Sequence, residues 1–488
     1  MSDHILVIDA GTTSTRAMLF DRAGALHHTS QREFTQHYPR PGRVEHDAAE
    51  IWDATLACIR KAVEAGGGAK SIAAIGISNQ RETVVAWDRT TGEPLARAIV
   101  WQDRRTADFC AELKDRGEEA RVTEKTGLLL DPYFSATKMR WMLDHEPMVA
   151  AAAKDGRLAF GTIESWLAFK LSGAHITDAS NASRTLLMAL DGKGWDEQLC
   201  ALFGVPEVAL PIIVDNAGML AQAKGDPAFD GLPICGLAGD QQAATIGQSC
   251  LSPGQTKATY GTGAFVLTNQ GTVPPRSEHR LLGTVLYQHS GARHYALEGS
   301  VFVAGSLVKW LRDTLGVIEH ADDTETLARS VEDSGGVVVV PALSGLGAPH
   351  WNPEARGVIS GLNFASGKAQ IVRAAIEAMA MQTRDLATAF AADGAAWETL
   401  RIDGGMAAND WMAQDLSNIL ELPVERPAML ETTALGAAML AALGCGWFDS
   451  LDSAAEAMAG QRNRFDPAMD DATRSERIAA WEKALRAV

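Results

Sequence analysis

ILVIDAGTTSTRAMLF, residues Ile5 to Phe20, consists of two apolar β-type runs folded around a turn of small polar residues. The runs are Ile5–Ile8 and Ala17–Phe20. The turn between them holds a carboxylate (Asp9), a glycine (Gly11), the hydroxyls of Thr12, Thr13 and Ser14, and a guanidinium (Arg16). A turn without bulky side chains exposes backbone N–H groups, and these donors and hydroxyls can surround a polyanion closely. Asp9, at the end of a buried strand, suits a metal ion that bridges phosphates. Gly and Thr are equally ordinary in a solvated hairpin turn, and the hairpin read alone leaves both readings open.

At 488 residues the chain is too long for one hydrophobic core, so two large domains or more are expected. A hydrophobic content of 46% with 22% charged residues fits a water-soluble globular protein. The net charge of −17 argues against nucleic acid as a partner. Any anionic ligand would therefore need a local positive field from N–H groups, Arg, Lys or Mg²⁺. The six cysteines are scattered without C-x-x-C spacing, as expected of reduced thiols in a cytoplasmic protein. No basic-then-apolar leader precedes the first strand, and the apolar run Ala434–Phe448 is too short and too Gly-broken for membrane insertion. The histidines show no paired-ligand spacing, which disfavours zinc.

Strands and helices alternate outward from the hairpin. Asp47–Val63 reads as a helix capped by Asp47, with Glu50 in capping-box position and Trp52, Leu56, Ile59 and Val63 on one face. Strands are expected at Ser71–Ser78, Thr83–Trp87 and Ala96–Trp101. Near Cys250 the opening unit recurs: Thr256–Asn269 is again strand, Gly/Thr turn, strand. A strand at Val337–Val340, an Ala-rich helix at Lys368–Phe390 and a strand at Thr399–Ile402 follow. Beyond these, Asn409 caps one helix, and another runs from Thr432 or Thr433 to Gly444. The two halves share a plan, which suggests related α/β domains facing a cleft.

Three Gly-rich turns follow apolar strands: Asp9–Arg16, Tyr260–Gly263 and Asp403–Ala407. Neither G-x-x-x-x-G-K-[ST] nor G-x-G-x-x-G occurs, so a nucleotide held between domains is favoured over a P-loop or a dinucleotide fold. In AGDQQAA, Asp240 could take a proton from a substrate hydroxyl, as phosphoryl transfer to an alcohol requires. It fits a helix N-cap as well. Arg81-Glu82 in NQRET reads alone as a solvated charged turn. Trp101, before QDRRT, reads alone as a core indole, and Tyr133 in DPYF as loop packing. Trp195 and Trp351 read as packing.

Taken together, DAGTTSTR, NQRET, VWQDRRT, DPYFSATK, TDASNASRT, AGDQQAA, YGTGAF, YALEGSVFVAG, PALSGLGAPHW, DGG and TALGAA resemble the FGGY family of carbohydrate kinases, within the actin–hexokinase–Hsp70 ATPase superfamily. The resemblance spans essentially the whole chain. NQRET, WQ-x-RRT and DPYFS-x-TK are far more specific than any Gly turn, and are similar to the branch acting on glycerol rather than on xylulose or gluconate. The fold it implies is α/β: two ribonuclease H-like (actin-like ATPase) domains, mixed sheets flanked by helices, with a cleft between them. Residues 1–250 would hold the glycerol site, the first phosphate loop and the catalytic Asp; residues 251–488 would hold the nucleotide site.

The activity implied is phosphoryl transfer from ATP to glycerol with Mg²⁺, the entry step of glycerol catabolism. Arg81, Glu82, Tyr133, Asp240 and Gln241 match glycerol-binding positions, where a triol needs donors and acceptors on adjacent hydroxyls. Trp101 and Phe265 match apolar walls over the carbon chain. Asp240 matches the general base, with Asp9 and Asp240 as the carboxylates beside Mg²⁺. Thr12, Thr13, Ser14 and Arg16 match the first phosphate loop, Thr262 the second, and Gly305, Lys309, Gly405, Met406 and Asp410 the rest of the nucleotide site. Lys309 stands where relatives often have Gln, Met406 where a small residue is usual, and Asp410 where Asn is common. A carboxylate at 410 cannot donate a base-edge hydrogen bond, so these departures bear on nucleotide affinity. The family resemblance also implies a homodimer or homotetramer. A kinase for another polyol such as erythritol, and a non-catalytic actin- or Hsp70-like ATP-binding protein, are the alternatives.

Overall fold

The computed structural model describes residues 3–352 and 354–488. Period-two burial organises the opening hairpin. Strand β1 (His4–Ala10) turns Ile5 and Val7 to one core, and Leu6 and Ile8 to another. Strand β2 (Ser14–Phe20) matches it with Met18 and Phe20 on the first side and Ala17 and Leu19 on the second. A sheet buried on both faces must be covered on both, and that requirement sets the architecture.

The first sheet adds β3 (Leu26–Glu33), β4 (Ile72–Asn79), β5 (Ala217–Gln222) and β6 (Pro233–Gly239), in the order β5-β6-β4-β1-β2-β3. β1, β4 and β6 are parallel; the other neighbours are antiparallel. Helix α1 (Ala48–Ala65) covers one face, placing Ile51, Cys58, Ile59 and Ala62 against Leu6 and Ile8. Asp47 caps it by accepting from the N–H groups of Ala49 and Glu50. Glu50 does not close a capping box: its Oε1 accepts from Thr35 N and Oγ1, at 3.0 and 2.9 Å. That contact ties α1 to the chain leaving β3.

Helix α2 (Asp240–Gly247) leaves β6 directly and leads into the second sheet. This sheet comprises β7 (Thr256–Tyr260), β8 (Ala264–Gly271), β9 (Leu282–His289), β10 (Ala292–Val301), β11 (Leu400–Asp403), β12 (Val424–Pro427) and β13 (Arg462–Phe465). Its order is β9-β10-β8-β7-β11-β12-β13. Strand for strand, β13-β12-β11-β7-β8-β10 repeats β5-β6-β4-β1-β2-β3, with the same parallel and antiparallel neighbours. Strand β9 is the one addition. The duplicated plan expected from the two Gly/Thr hairpins is present as two α/β units of one topology.

Helix α3 (Gly305–Asp313) follows β10, and α4 (Thr432–Gly444) follows β12. Although α4 lies late in the chain, it covers the first sheet: Ala434–Leu443 pack with Ile5, Val7, Met18, Phe20 and Ala74. Helix α4 is apolar all round, as a helix enclosed by α2 and a sheet must be. It crosses α2 at a pair of glycines. A Cβ on Gly436 would overlap the Ala243 carbonyl, and one on Gly247 would overlap the Thr432 carbonyl.

Residues between β4 and β5 build a further apolar layer around Leu113, Val122, Leu130, Phe134 and Met139. Two expected strands are shortened here, to Val85–Asp88 and Ala98–Ile99, each paired with a short partner, Leu158–Gly161 and Glu45–His46. Among the described residues no helix is long and apolar enough to cross a membrane.

Candidate active site

Parallel strands aligned at their carboxyl ends gather the chemistry. Asp9 lies level with Ser78 in the sheet, and Gly239 with Asn79. The turns after β1, β4 and β6 therefore emerge together, bearing Asp9–Arg16, Gln80–Glu82 and Asp240.

The first turn is held from several sides. Gly11 N donates to Ser14 O at 3.0 Å, closing it. Trp101 Nε1 donates to Thr12 Oγ1 at 3.0 Å, and Gln31 Nε2 to Ser14 Oγ at 3.0 Å. Thr13 is exposed and Thr15 points to the other face, where it meets Thr55 Oγ1 at 3.0 Å. Gln80 Nε2 donates to Gly11 O and Gln36 Nε2 to Thr12 O, with His46 bridging the two glutamines. Arg16 Nε and Nη2 both donate to Asp9 Oδ2, while Nη1 meets Glu431 at 2.7 Å. Glu431 lies just ahead of α4.

The second turn answers it from the other sheet. Thr262 O accepts from the N–H groups of Ala304 and Ser306, and Gly261 O from Gly305 N at 2.8 Å, so this turn rests on the start of α3. Met406 is the next neighbour: its Cγ lies 3.7 Å from where a Cβ on Gly305 would stand. Gly405 and Lys309 are exposed nearby in the chain. Asp410 Oδ1 forms an ion pair with Arg426 at 2.7 Å, a partner that an uncharged Asn would not hold as strongly.

Arg81 and Glu82 are not solvated. They are 2% and 1% exposed, and Glu82 adopts a left-handed φ of 59°, a strained setting for a non-glycine residue. Arg81 makes a two-pronged pair with Glu298 of β10, at 2.6 and 3.1 Å. Its Nε faces Asp240 Oδ1 at 3.3 Å and Glu82 Oε1 at 3.8 Å. Arg184 reaches Glu82 at 2.7 Å and Glu298 at 2.9 Å. Tyr133 OH lies 3.4 Å from Arg81 Nη2. Lys138 clamps the loop from behind, donating to the carbonyls of Tyr133, Phe134 and Glu82.

Asp240 is the first residue of α2, after Gly239 at the cap position, and its Oδ1 accepts from Gln241 N at 2.8 Å in the first turn. A third of its side chain stays open to the cleft. Burial of its surroundings pushes its carboxyl up to about 6; Arg81 and Lys257 oppose this, and Glu82 adds to it. Lys257 of β7 donates to Gln241 Oε1 at 2.6 Å, and burial lowers its ammonium to about 8. Glu298 behaves in the opposite sense to Asp240. Burial pushes it upward, but Arg184 and Arg81 outweigh this and hold it at about 2. A fully ionised carboxylate thus sits behind Arg81, and a more basic, part-open one in front.

Trp101 stands edge-on to Tyr133 at 5.8 Å and to Phe265 at 6.3 Å. These three rings line one end of a cavity of about 700 Å³ between the two sheets' units. Arg104, Arg280, Phe302 and Trp351 line it as well. Trp351, expected as packing, therefore also faces this space, with its Nε1 on Arg280 O at 2.9 Å.

The chain matches the model of the FGGY N-terminal domain over residues 4–247 and that of the FGGY C-terminal domain over 256–445. The chain belongs to the FGGY family of carbohydrate kinases. Among FGGY relatives, glycerol kinase of Rhodospirillum centenum is 51% identical, covering 99% of this chain and 97% of its own. Glycerol kinase of Dechloromonas aromatica is 52% identical, over 99% and 96%. The crystal structure of Plasmodium falciparum glycerol kinase with ADP superposes with a TM-score of 0.92 at 36% identity, over 99% and 97% of the two chains. ATP use follows from membership of this kinase family.

A hard divalent cation fits the donors present. Among the described residues no three His, Cys, Asp or Glu side chains cluster as a metal cage. Mg²⁺ needs no such cage, taking one or two carboxylates and completing its shell with water and phosphate oxygens. Both Arg16 bonds to Asp9 fall on Oδ2, so Oδ1 would be the oxygen open to such a cation.

Four charged residues central to this geometry carry no role in the sequence reading: Lys138, Arg184, Lys257 and Glu298. Lys138, Arg184 and Glu298 lie inside DPYFSATK, TDASNASRT and YALEGSVFVAG, and Lys257 lies in the Thr256–Asn269 hairpin. The usable signal is a lone charge in an otherwise uncharged strand, as in YALEGSVF and TKATY.

Proposed function

We propose that this chain transfers the γ-phosphoryl group of ATP to a terminal hydroxyl of glycerol, giving sn-glycerol 3-phosphate. The observation that carries this reading is the meeting of Asp240 with the buried Arg81–Glu82 pair beside the Trp101, Tyr133 and Phe265 rings. The full-length likeness to glycerol kinases supports it.

Arg81, Glu82 and Tyr133 offer donors and an acceptor to vicinal hydroxyls, and Trp101 and Phe265 cover the carbon chain. Gln241, fixed by Lys257, adds a polar contact beside Asp240. Asp240 is an anion at neutral pH and takes the proton of the attacking hydroxyl. Arg16, the N–H groups of the Thr12–Ser14 turn and the Thr262 turn neutralise phosphoryl oxygens from opposite sides. Gly305, Lys309, Gly405, Met406 and Asp410 line the nucleotide end. Asp9 and Asp240, at the aligned ends of β1 and β6, would supply carboxylates to Mg²⁺, which would offset phosphate charge. The two α/β units, divided near residue 250 apart from the late helices that cover the first sheet, close on these ligands and exclude water, the competing acceptor.

The test is polyol-dependent ADP release, comparing kcat/KM for glycerol, erythritol and xylulose. Glycerol should be preferred. A larger value for erythritol would move the reading to a longer polyol, and ATP turnover indifferent to all polyols would remove it. Asp240→Asn should lower kcat by roughly 10²–10⁴-fold, the usual weight of acid–base work. Near-normal turnover would remove Asp240 as the base.

A further inference from the structure

Three cations and three anions meet at the floor of the substrate site: Arg81, Arg184 and Lys257 with Glu82, Glu298 and Asp240. Only some of these face the polyol in the reading above. Glu298 and Arg184 lie behind them, both 0% exposed. Glu298 comes from β10 of the second sheet, whereas Arg81, Glu82 and Arg184 all precede residue 250. A carboxylate from one half of the chain thus fixes the substrate-facing guanidinium of the other.

We infer that Glu298 and Arg184 are positioning residues of the substrate site, setting the orientation of Arg81 and Glu82 from behind. The inference rests on the glycerol reading above. Arg81 has five donors in a rigid fork. Glu298 engages Nη1 and Nη2 together, at 2.6 and 3.1 Å. A two-pronged pair fixes the guanidinium plane, and that plane leaves Nε toward Asp240 at 3.3 Å. Arg184 performs the matching task for Glu82. Its Nε donates to Glu82 Oε1 at 2.7 Å while its Nη2 donates to Glu298 Oε1 at 2.9 Å. One guanidinium thereby sets the spacing between the two carboxylates.

The energetics favour this lattice as a device for orientation. Burying an ion pair costs desolvation that its attraction often only matches. Hydrophobic residues would fill such a site more cheaply, but they could not aim a guanidinium and a carboxylate at adjacent hydroxyls. Removing one partner leaves the other buried and unpaired, free to rotate toward whatever acceptor remains. The first quantity to change should be polyol affinity. Among the described residues the hydrogen bonds and ion pairs of Glu298 and Arg184 go to Arg81, Glu82, Ser300 and each other, not to the nucleotide turns after β1 and β7, so nucleotide affinity should hold.

The experiment uses the full-length enzyme and the isosteric variant Glu298→Gln. Glycerol binding is measured by calorimetry without nucleotide, ADP binding without glycerol, and both KM values by ADP release. The expected result is a glycerol Kd and KM raised about 10–100-fold, the weight of a charged hydrogen-bond partner. ADP Kd and ATP KM should stay within about twofold. Arg184→Lys keeps the charge but not the fork, and should raise glycerol KM by a smaller factor. If Glu298→Gln does not fold, Glu298→Asp is read with the same split. Wild-type glycerol affinity in Glu298→Gln, or glycerol and nucleotide constants rising together, overturns the inference. Wild-type enzyme that turns over a different polyol overturns the glycerol reading instead, and the same split is then read with that polyol.

Discussion

At the scale of single residues, the two carboxylates on either side of Arg81 are set apart by their surroundings. Glu298 is held at about 2 and Asp240 is pushed to about 6, although both face the same guanidinium. The difference lies in partners: Glu298 takes two arginines at short range, while Asp240 takes one contact at 3.3 Å and has Glu82 nearby. A base must be unprotonated to work, and a raised carboxyl gains its proton as pH falls through its own value. The expected outcome is a kcat/KM for glycerol that is flat above about pH 7 and falls below about pH 6, nearing tenfold per pH unit. Initial rates across pH 4.5–8 check it, and a profile flat to pH 5 would contradict it. This environment was only partly legible in the sequence. NQRET places Arg81 beside Glu82, and two adjacent charges in a turn look solvated. Their burial depends on Glu298, 217 residues from Arg81, and no local pattern carries that distance.

At the scale of elements, hairpins and helix limits were readable because they rest on local rules. Side chains along Ile5–Ile8 and Ala17–Phe20 alternate between two cores, Asp47 and Asn409 accept from helix N–H groups as caps do, and Thr432–Gly444 runs as expected. What α4 covers was not readable. An all-round apolar helix gives no facing direction, and proximity in sequence to β12 suggests the second sheet. The crossing of α2 and α4 decides otherwise, because only glycines at 247 and 436 let the two backbones meet. Gly436→Ala should therefore cost about 1–3 kcal/mol, the range for overpacking, since the obstruction is a carbonyl rather than a flexible side chain. Gly194→Ala, with nothing within 4 Å of the added carbon, should stay within about 0.5 kcal/mol. Denaturant unfolding of both variants checks this, and equal midpoints would show that the helices can part without loss.

At the scale of the whole molecule, the chain is more interwoven than a division near residue 250 suggests. The first sheet needs cover on both faces. Helix α1 and the helix Ile163–Ser172 supply one, and the other comes from α4 and the helix Leu451–Met458, both late in the sequence. The proposed substrate site is interwoven in the same sense, with Phe265, Lys257 and Glu298 joining Arg81, Glu82 and Asp240. A fragment of residues 1–250 would expose Ile5, Val7, Met18, Phe20 and Ala74 as one contiguous apolar face. Faces of that kind drive association or loss of fixed packing. The expected outcome is that residues 1–250 made alone aggregate or unfold without a cooperative transition. Co-expressed with residues 251–488, they should form a soluble pair in which α4 reaches its place and polyol-dependent ADP release returns. Calorimetry of the lone fragment and gel filtration of the pair check both arms. A sharp unfolding transition in the lone fragment would mean that α1 and the first sheet suffice, and that α4 is a cover the sheet can do without.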